Sequence, residues 1–510
     1  MSKAKERRLK EQAEREAKIE EKIKNGTVRR EIYENRKKKP ALPNRLSPFV
    51  TPEEELEDRQ ETVEKAVMVY YRMLSDLLPK LSCIKDPRKP GMIKHKMKVL
   101  LVYGILMSMY QIGSRRNANR TISRPVFFDN LKAMFPEFDT MPHADTVARL
   151  LEKLDASEIM ECMVGLLKDL IRSKKFKNLM HKKRYLIAVD GTQKYFRNYQ
   201  WAPECLERHV GGEARIPQYY CYVLEAVLIL ENGIVLPVMS EFIENGKYKK
   251  DGDKQDCERK GFYRMAWKLK KIFRGTKLSI VADGLYACGP VITMCRKYGW
   301  DYMIVLKADS LPNVWKEALA LMKINSENRL NCHWGDREQI YSWANWIEYE
   351  YMAGDVKKKE VLNVVICYES WKENHSRSTG VVEEKEIRYA WLSSRELNHK
   401  NVFYRCTKIG RFRWKIENNI LVEKHQGYQY EHCLSYSWGA MKGFHYLMKI
   451  GHFMNVLALN SKLLIDKVRE LGIRGFINYL ELACKGSRLD KNRIKEARER
   501  KFMWKLELTA

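Results

Sequence analysis

The run Tyr185-Leu186-Ile187-Ala188-Val189-Asp190-Gly191-Thr192 closes five consecutive apolar residues with a carboxylate and a glycine. Such a run is the pattern of a central strand covered on both faces, where α/β proteins place functional side chains because strand ends open on a crevice. A second run of the same form, Leu278 to Ala282, ends on Asp283-Gly284. Between them, Tyr219 to Leu230 and Ile234 to Ile243 read as strands joined through Glu231-Asn232-Gly233, and Asn-Gly is a strong hairpin signal. Helices are expected at about Lys254 to Phe273 and at Pro290 to Tyr298, with a further strand at Tyr302 to Leu306. The fold class is therefore α/β, a mixed sheet with helices.

Outward from this centre the pattern changes. Residues 330 to 394 are aromatic-rich, alternating and helix-poor, and read as a β-rich insertion, placed at about 310–400. Toward the N-terminus, Thr51-Pro52-Glu53-Glu54 has the chemistry of a helix start, with a hydroxyl cap, a proline at the first helical position and a carboxylate at the third. Apolar helices follow to about residue 180, one of them Met97 to Ile112. The resulting division is a basic arm and linker over 1–50, a helical domain over 51–182, an α/β domain over 183–465, and a basic helical tail over 466–510.

The chain has 510 residues, 94 Lys+Arg against 65 Asp+Glu, and a net charge of +29. Residues 1–39 alone carry +7, and Lys485 to Lys505 carry +6. With 45% hydrophobic residues this is a packed globular protein, and a surplus of this size favours a polyanionic partner through counterion release. The cluster Arg115, Arg116 and Arg120, interleaved with Asn117 and Asn119, is a candidate phosphate grip. The longest apolar run, Val99 to Gly113, is too short for a membrane span and reads as a buried helix. No secretory signal is present, so a cytoplasmic, nucleoid-associated protein is expected. The 12 cysteines contain no C-x-x-C pair, and Cys332-His333 and His432-Cys433 are too closely spaced to make a zinc site alone.

The Walker loop, the dinucleotide-binding glycine turn, the zinc-protease helix and the nucleophile elbow are all missing from the sequence. Asp251-Gly252-Asp253 lacks calcium-loop spacing and reads as a polar turn. Carboxylates remain. Asp190 and Asp283 on neighbouring strands could hold a hard cation such as Mg²⁺. A third ligand is available in Gly410 to Lys424: on a helix Glu417 lies about 40° and Lys424 about 20° around from Arg413, so all three share one stripe. Phe412, Ile416 and Ile420 run beside it as an apolar face. Alone, this helix reads equally well as an exposed ion pair between Arg413 and Glu417.

The order Asp190, Asp283, β-rich insertion, then Arg413-x3-Glu417-x6-Lys424 resembles the DDE transposases of bacterial insertion sequences. More narrowly, it is similar to the group with a Tyr-x2-Arg-x3-Glu-x6-Lys signature. The resemblance covers roughly residues 140–460, including Pro142-x2-Asp145-Thr146 and Asp283-Gly284-Leu285-Tyr286-Ala287; the signature tyrosine falls at Gly410. It implies an RNase H-like catalytic domain in which Asp190, Asp283 and Glu417 are catalytic and bind two Mg²⁺ ions, with Mn²⁺ able to substitute. Arg413 and Lys424 would hold phosphates. The implied activity is cleavage at transposon ends and strand transfer into target DNA. The implied partners are double-stranded DNA, as terminal inverted repeats and target, and a second copy of the chain in the DNA complex. Insertion aromatics in this family can stack on a flipped base, which makes Trp334, Trp343 and Trp346 of interest, although core packing suits most of them better. The same residues fit two other readings: an RNase H-superfamily nuclease that does not join strands, and a non-catalytic DNA-binding protein.

Overall fold

The computed structural model describes residues 46–246, 254–374, 381–501 and 505–506, with scattered residues before 46. Most of the N-terminal basic arm and the Asp251-Gly252-Asp253 turn lie outside the described residues. The chain divides into two compact units: Leu42–Ala282, Tyr298–Trp300 and Arg411–Ala510 form the larger, and Met1–Ala41, Asp283–Lys297 and Asp301–Gly410 form the smaller.

In the larger unit six helices come first: α1 (Pro52–Ser82), α2 (Met97–Met109), α3 (Arg115–Ile122), α4 (Pro125–Met134), α5 (Ala144–Leu151) and α6 (Ala156–Arg172). The helix start at Thr51 is a full capping box: Thr51 accepts from the Glu54 backbone amide, and the Glu54 carboxylate accepts from the Thr51 amide. From the sequence, Arg115 to Arg120 reads as a phosphate-gripping cluster after the Met97–Ile112 helix, not as the separate helix α3, and no helix is expected at α4. The turn residues Gly113 and Ser114 explain the difference, because the Ser114 hydroxyl accepts from Asn117 N and starts a new helix.

A mixed sheet follows, built from β1 (Tyr185–Arg197), β2 (Leu206–Val210), β3 (Ile216–Ile229) and β4 (Val235–Ile243), then α7 (Glu258–Ile272) and β5 (Leu278–Ala282). β1 pairs antiparallel with β3 and parallel with β5, while the other edge of β3 takes β2 and β4. The Asn232-Gly233 hairpin is present, with Gly233 at φ 89°.

The smaller unit holds α8 (Gly289–Tyr298, its last residue shared with the larger unit), β6 (Asp301–Val305), α9 (Pro312–Ile324), and the long strands β7 (Arg329–Trp334), β8 (Arg337–Ala353), β9 (Val356–Asn374) and β10 (Val381–Ser393). β7 to β10 form an antiparallel meander, and β10 pairs with β6, so residues 329–393 are largely strand. Buried Asp301 ties this unit together through Arg395 at 2.9 Å and Arg405 at 3.1 Å. Trp343 is core, whereas Trp334 and Trp346 are 37% and 66% exposed.

The chain then returns to the larger unit through a π turn and a 3-10 turn, Arg405–Ile409 and Gly410–Arg413, into α10 (Trp414–His425). There α11 (Trp438–Leu459), α12 (Ile465–Gly486) and α13 (Lys491–Glu499) complete it. α11 and α2 are buried nearly all round and pack closely, because a Cβ at Gly104 would lie 2.5 Å from Leu447 and one at Gly451 2.7 Å from Ser108. The basic C-terminal segment is folded onto α1: Lys467 pairs with Asp58 at 2.9 Å and Arg493 with Glu57 at 2.8 Å. Among the described residues no helix is long and apolar enough to cross a membrane, and all twelve cysteines are free.

Candidate active site

Asp190 does not terminate its strand. β1 runs on to Arg197 because its antiparallel partner β3 is equally long, and Asp190 sits mid-strand opposite Glu225. What stops nearby is the parallel pairing, whose last register is Ala188 opposite Val281, so Asp190 lies just beyond the reach of β5. Its Oδ1 accepts from Gly191 N at 3.0 Å. The Tyr222 hydroxyl and the Glu258 carboxylate close over Gly191, 2.5 Å and 2.7 Å from where a Cβ would stand, so a side chain there would have to displace them.

Arg413, at the junction of the 3-10 turn and α10, reaches both carboxylates: Nη2 is 2.5 Å from Glu417 Oε1 and Nη1 is 3.8 Å from Asp190 Oδ2. The guanidinium is largely buried, while Glu417 is 44% exposed. Two of the three residues of the expected stripe, Arg413 and Glu417, meet, with Ile416 and Ile420 buried beside them. Lys424 does not reach this pair; it binds Glu431 at 2.8 Å.

Asp283 belongs to the smaller unit. It caps the 3-10 turn Gly284–Tyr286, accepting from Leu285 N at 2.9 Å, and Lys307 Nζ stands 3.5 Å away. Lys307 crosses the face of Gly284, where a Cβ would lie 2.7 Å from its Cγ. The tyrosine of the signature is missing for a steric reason within that unit: a Cβ at Gly410 would lie 2.9 Å from the Trp391 ring nitrogen.

Beneath Arg413 and Glu417 lies a buried charge network that sequence reasoning missed. Lys449 Nζ donates to Glu423 Oε2 at 2.6 Å and stands 3.0 Å from Glu225 Oε2. Glu423 also meets His452 Nδ1 at 2.7 Å, and Glu225 accepts from Tyr430 and Ser240 hydroxyls, each at 2.7 Å. Burial opposes ionisation of Glu423, but Lys449 and His452 overcome it and hold its carboxyl down to about 2. Burial likewise works against the Lys449 ammonium, and the two carboxylates more than restore it. The signals were present: Glu225 interrupts an apolar strand, and Glu423 falls seven residues after Ile416 on the buried face of α10.

Of the arginine cluster, Arg116 and Arg120 are exposed, whereas Arg115 is paired with Asp145 at 2.9 Å. Asn119 does not face a ligand; its Oδ1 accepts from Tyr103 and from Ala144 N.

Asp190 and Glu417 are hard oxygen donors already converging on one cation, Arg413, which suits a hard divalent ion. Among the described residues, however, no group of three or more His, Cys, Asp or Glu stands close enough to hold a metal.

These features define a mixed α/β protein with a helical N-terminal part and a carboxylate pair contributed by a central strand and a helix. Residues 78–166, the helical part, match the family described as DDE_Tnp_1-associated, and that match supports a DDE-type transposase. Among solved structures the chain is similar to a piggyBac transposase synaptic complex with hairpin DNA, at 11% identity over 86% of this chain and 84% of that one, with a TM-score of 0.35. That superposition is too loose to carry further weight. No curated protein matches the chain.

Proposed function

We propose that the chain is a transposase with an RNase H-like catalytic domain, cutting DNA at transposon ends and joining those ends to target DNA. The convergence of Asp190 and Glu417 on Arg413, from a strand and a helix far apart in sequence, is the observation that supports this best. Asp283 joins them on sequence order, as the residue that follows β5 in the chain. The three carboxylates would hold two Mg²⁺ ions, which when bound lower the pKa of an attacking water and stabilise the leaving oxygen. Arg413 holds both carboxylates in place and presents a guanidinium suited to a phosphate, and Lys424, further along the same stripe, would add a point charge on exchanging Glu431 for phosphate. Substrate would be duplex DNA, bound as terminal repeats and target by a dimer.

The test is to incubate purified protein with its element's end DNA, a target plasmid and Mg²⁺. Cleaved ends and joined product are expected; cleavage without joining would make the chain a nuclease, and neither product would leave only DNA binding. Asp283→Asn is the sharper probe, because an asparagine oxygen can still accept from Leu285 N and keep the cap. DNA affinity should stay within about twofold while cleavage falls about a hundredfold or more, the scale of losing one transition-state contact. Undiminished cleavage removes Asp283 from the site.

A further inference from the structure

α10 has a second face. Lys415, Asn418, Asn419, Val422 and Gln426 lie on the side of the helix opposite Arg413, Glu417 and Lys424, at about 100° per residue. That side lines a cleft of 360 Å³, closed by the Asn232-Gly233 turn and by residues of α11 and α12, all within the larger unit. The volume is that of a small-molecule site.

The lining has a definite chemistry. Lys415 and Arg474 are its two cations, no Asp or Glu lines it, and among the described residues neither cation has an acidic partner. Side-chain amides surround them, of which Asn418 and Gln426 are exposed to incoming groups. Val422, Val456 and Leu459 supply an apolar wall. Two rings, Tyr428 and His452, sit 4.5 Å apart and are nearly buried, with His452 held through Glu423. Cations without an acidic partner suit phosphate, Lys415 resting over the Phe412 ring at 5.8 Å; amides suit the hydrogen-bonding edge of a base, and the apolar wall suits its flat face.

We propose that this cleft binds a nucleotide, with Lys415 and Arg474 on its phosphate and the amides of α10 on its base. The occupant has one chemistry and two sources, a free nucleotide or one nucleotide of a DNA strand. The inference does not rest on the transposase reading, since the cleft and the carboxylates occupy opposite faces of α10.

Calorimetric titration of the full chain with deoxyadenosine monophosphate, a twelve-nucleotide single strand and inorganic phosphate tests it. Saturable binding of the monophosphate indicates a free nucleotide, and binding of the strand alone indicates a nucleotide within DNA. Lys415→Ala with Arg474→Ala should weaken whichever binds by about tenfold or more, and Asn418→Trp should block it by filling the cleft. Glu417→Gln should leave nucleotide affinity unchanged whatever it does to cleavage, so the two readings fail separately. Should these variants not fold, photocrosslinking of an azido-nucleotide to the unaltered protein should label residues 415–428 or 452–474. Inorganic phosphate binding as tightly as nucleotide, affinity unmoved in the double variant, labelling elsewhere, or no binding at all would overturn the proposal.

Discussion

Lys449 sits fully buried between two carboxylates, Glu225 on β3 and Glu423 on α10, and so ties the strand opposite Asp190 to the helix that carries Glu417. Burial already pushes the Glu225 carboxyl up, and removing the ammonium leaves it only hydroxyl partners while Glu423 keeps only His452 as a basic partner, so Lys449→Met should cost about 3–5 kcal/mol, read as a lower denaturant midpoint. An unchanged midpoint would show that the network does not clamp the helix. Acid tests the same group with a definite sign. Glu423 has a folded pKa depressed to about 2 from an ordinary 4.5, so its contribution is complete above 4.5 and is lost as pH falls toward 2. The unaltered protein should therefore lose more stability between pH 5 and pH 3 than Glu423→Gln does, and equal losses would refute the assignment. Gly410 gives a purely steric case. With Trp391 only 2.9 Å from any Cβ, Gly410→Ala should destabilise by roughly 1–3 kcal/mol, as overpacking does.

Elements were legible where local chemistry decides them. The capping box at Thr51 is local, and Thr51→Ala should cost about 1 kcal/mol of stability in thermal melts, with α1 fraying at its start. The Asn232-Gly233 hairpin and the five-residue β5 are local too. The length of β1 is not local, because residues 190–197 are polar enough to read as a turn and are held in the sheet only by β3. Asp190 therefore lies at mid-strand instead of at the strand end that its sequence pattern suggests. The buried network was illegible for a related reason: a lone Glu or Lys in an apolar run shows that a partner must exist, yet three elements from distant parts of the chain supply it. The stripe of Arg413 and Glu417 could be read because both ends of the pair lie on one helical turn.

At the scale of the molecule, the two basic ends account for less than half of the +29 surplus, so the folded body must carry most of whatever attracts a polyanion. Arg116 and Arg120 lie four residues apart on α3, on one exposed face, inside the segment that matches the transposase-associated family. If that face meets duplex, each arginine neutralises a phosphate, and the logarithm of affinity falls with the logarithm of salt by about 0.9 for each. Replacing both with alanine should make that slope about 1.8 shallower and weaken all duplex sequences alike, because phosphate contacts do not read bases. Arg115→Ala separates contact from scaffold. Its guanidinium is taken by Asp145, an exposed pair worth no more than about 1 kcal/mol, so the slope should stay as it was while the melt shifts slightly. A double variant with the original slope would move the duplex off α3 and leave this cluster as solvated surface.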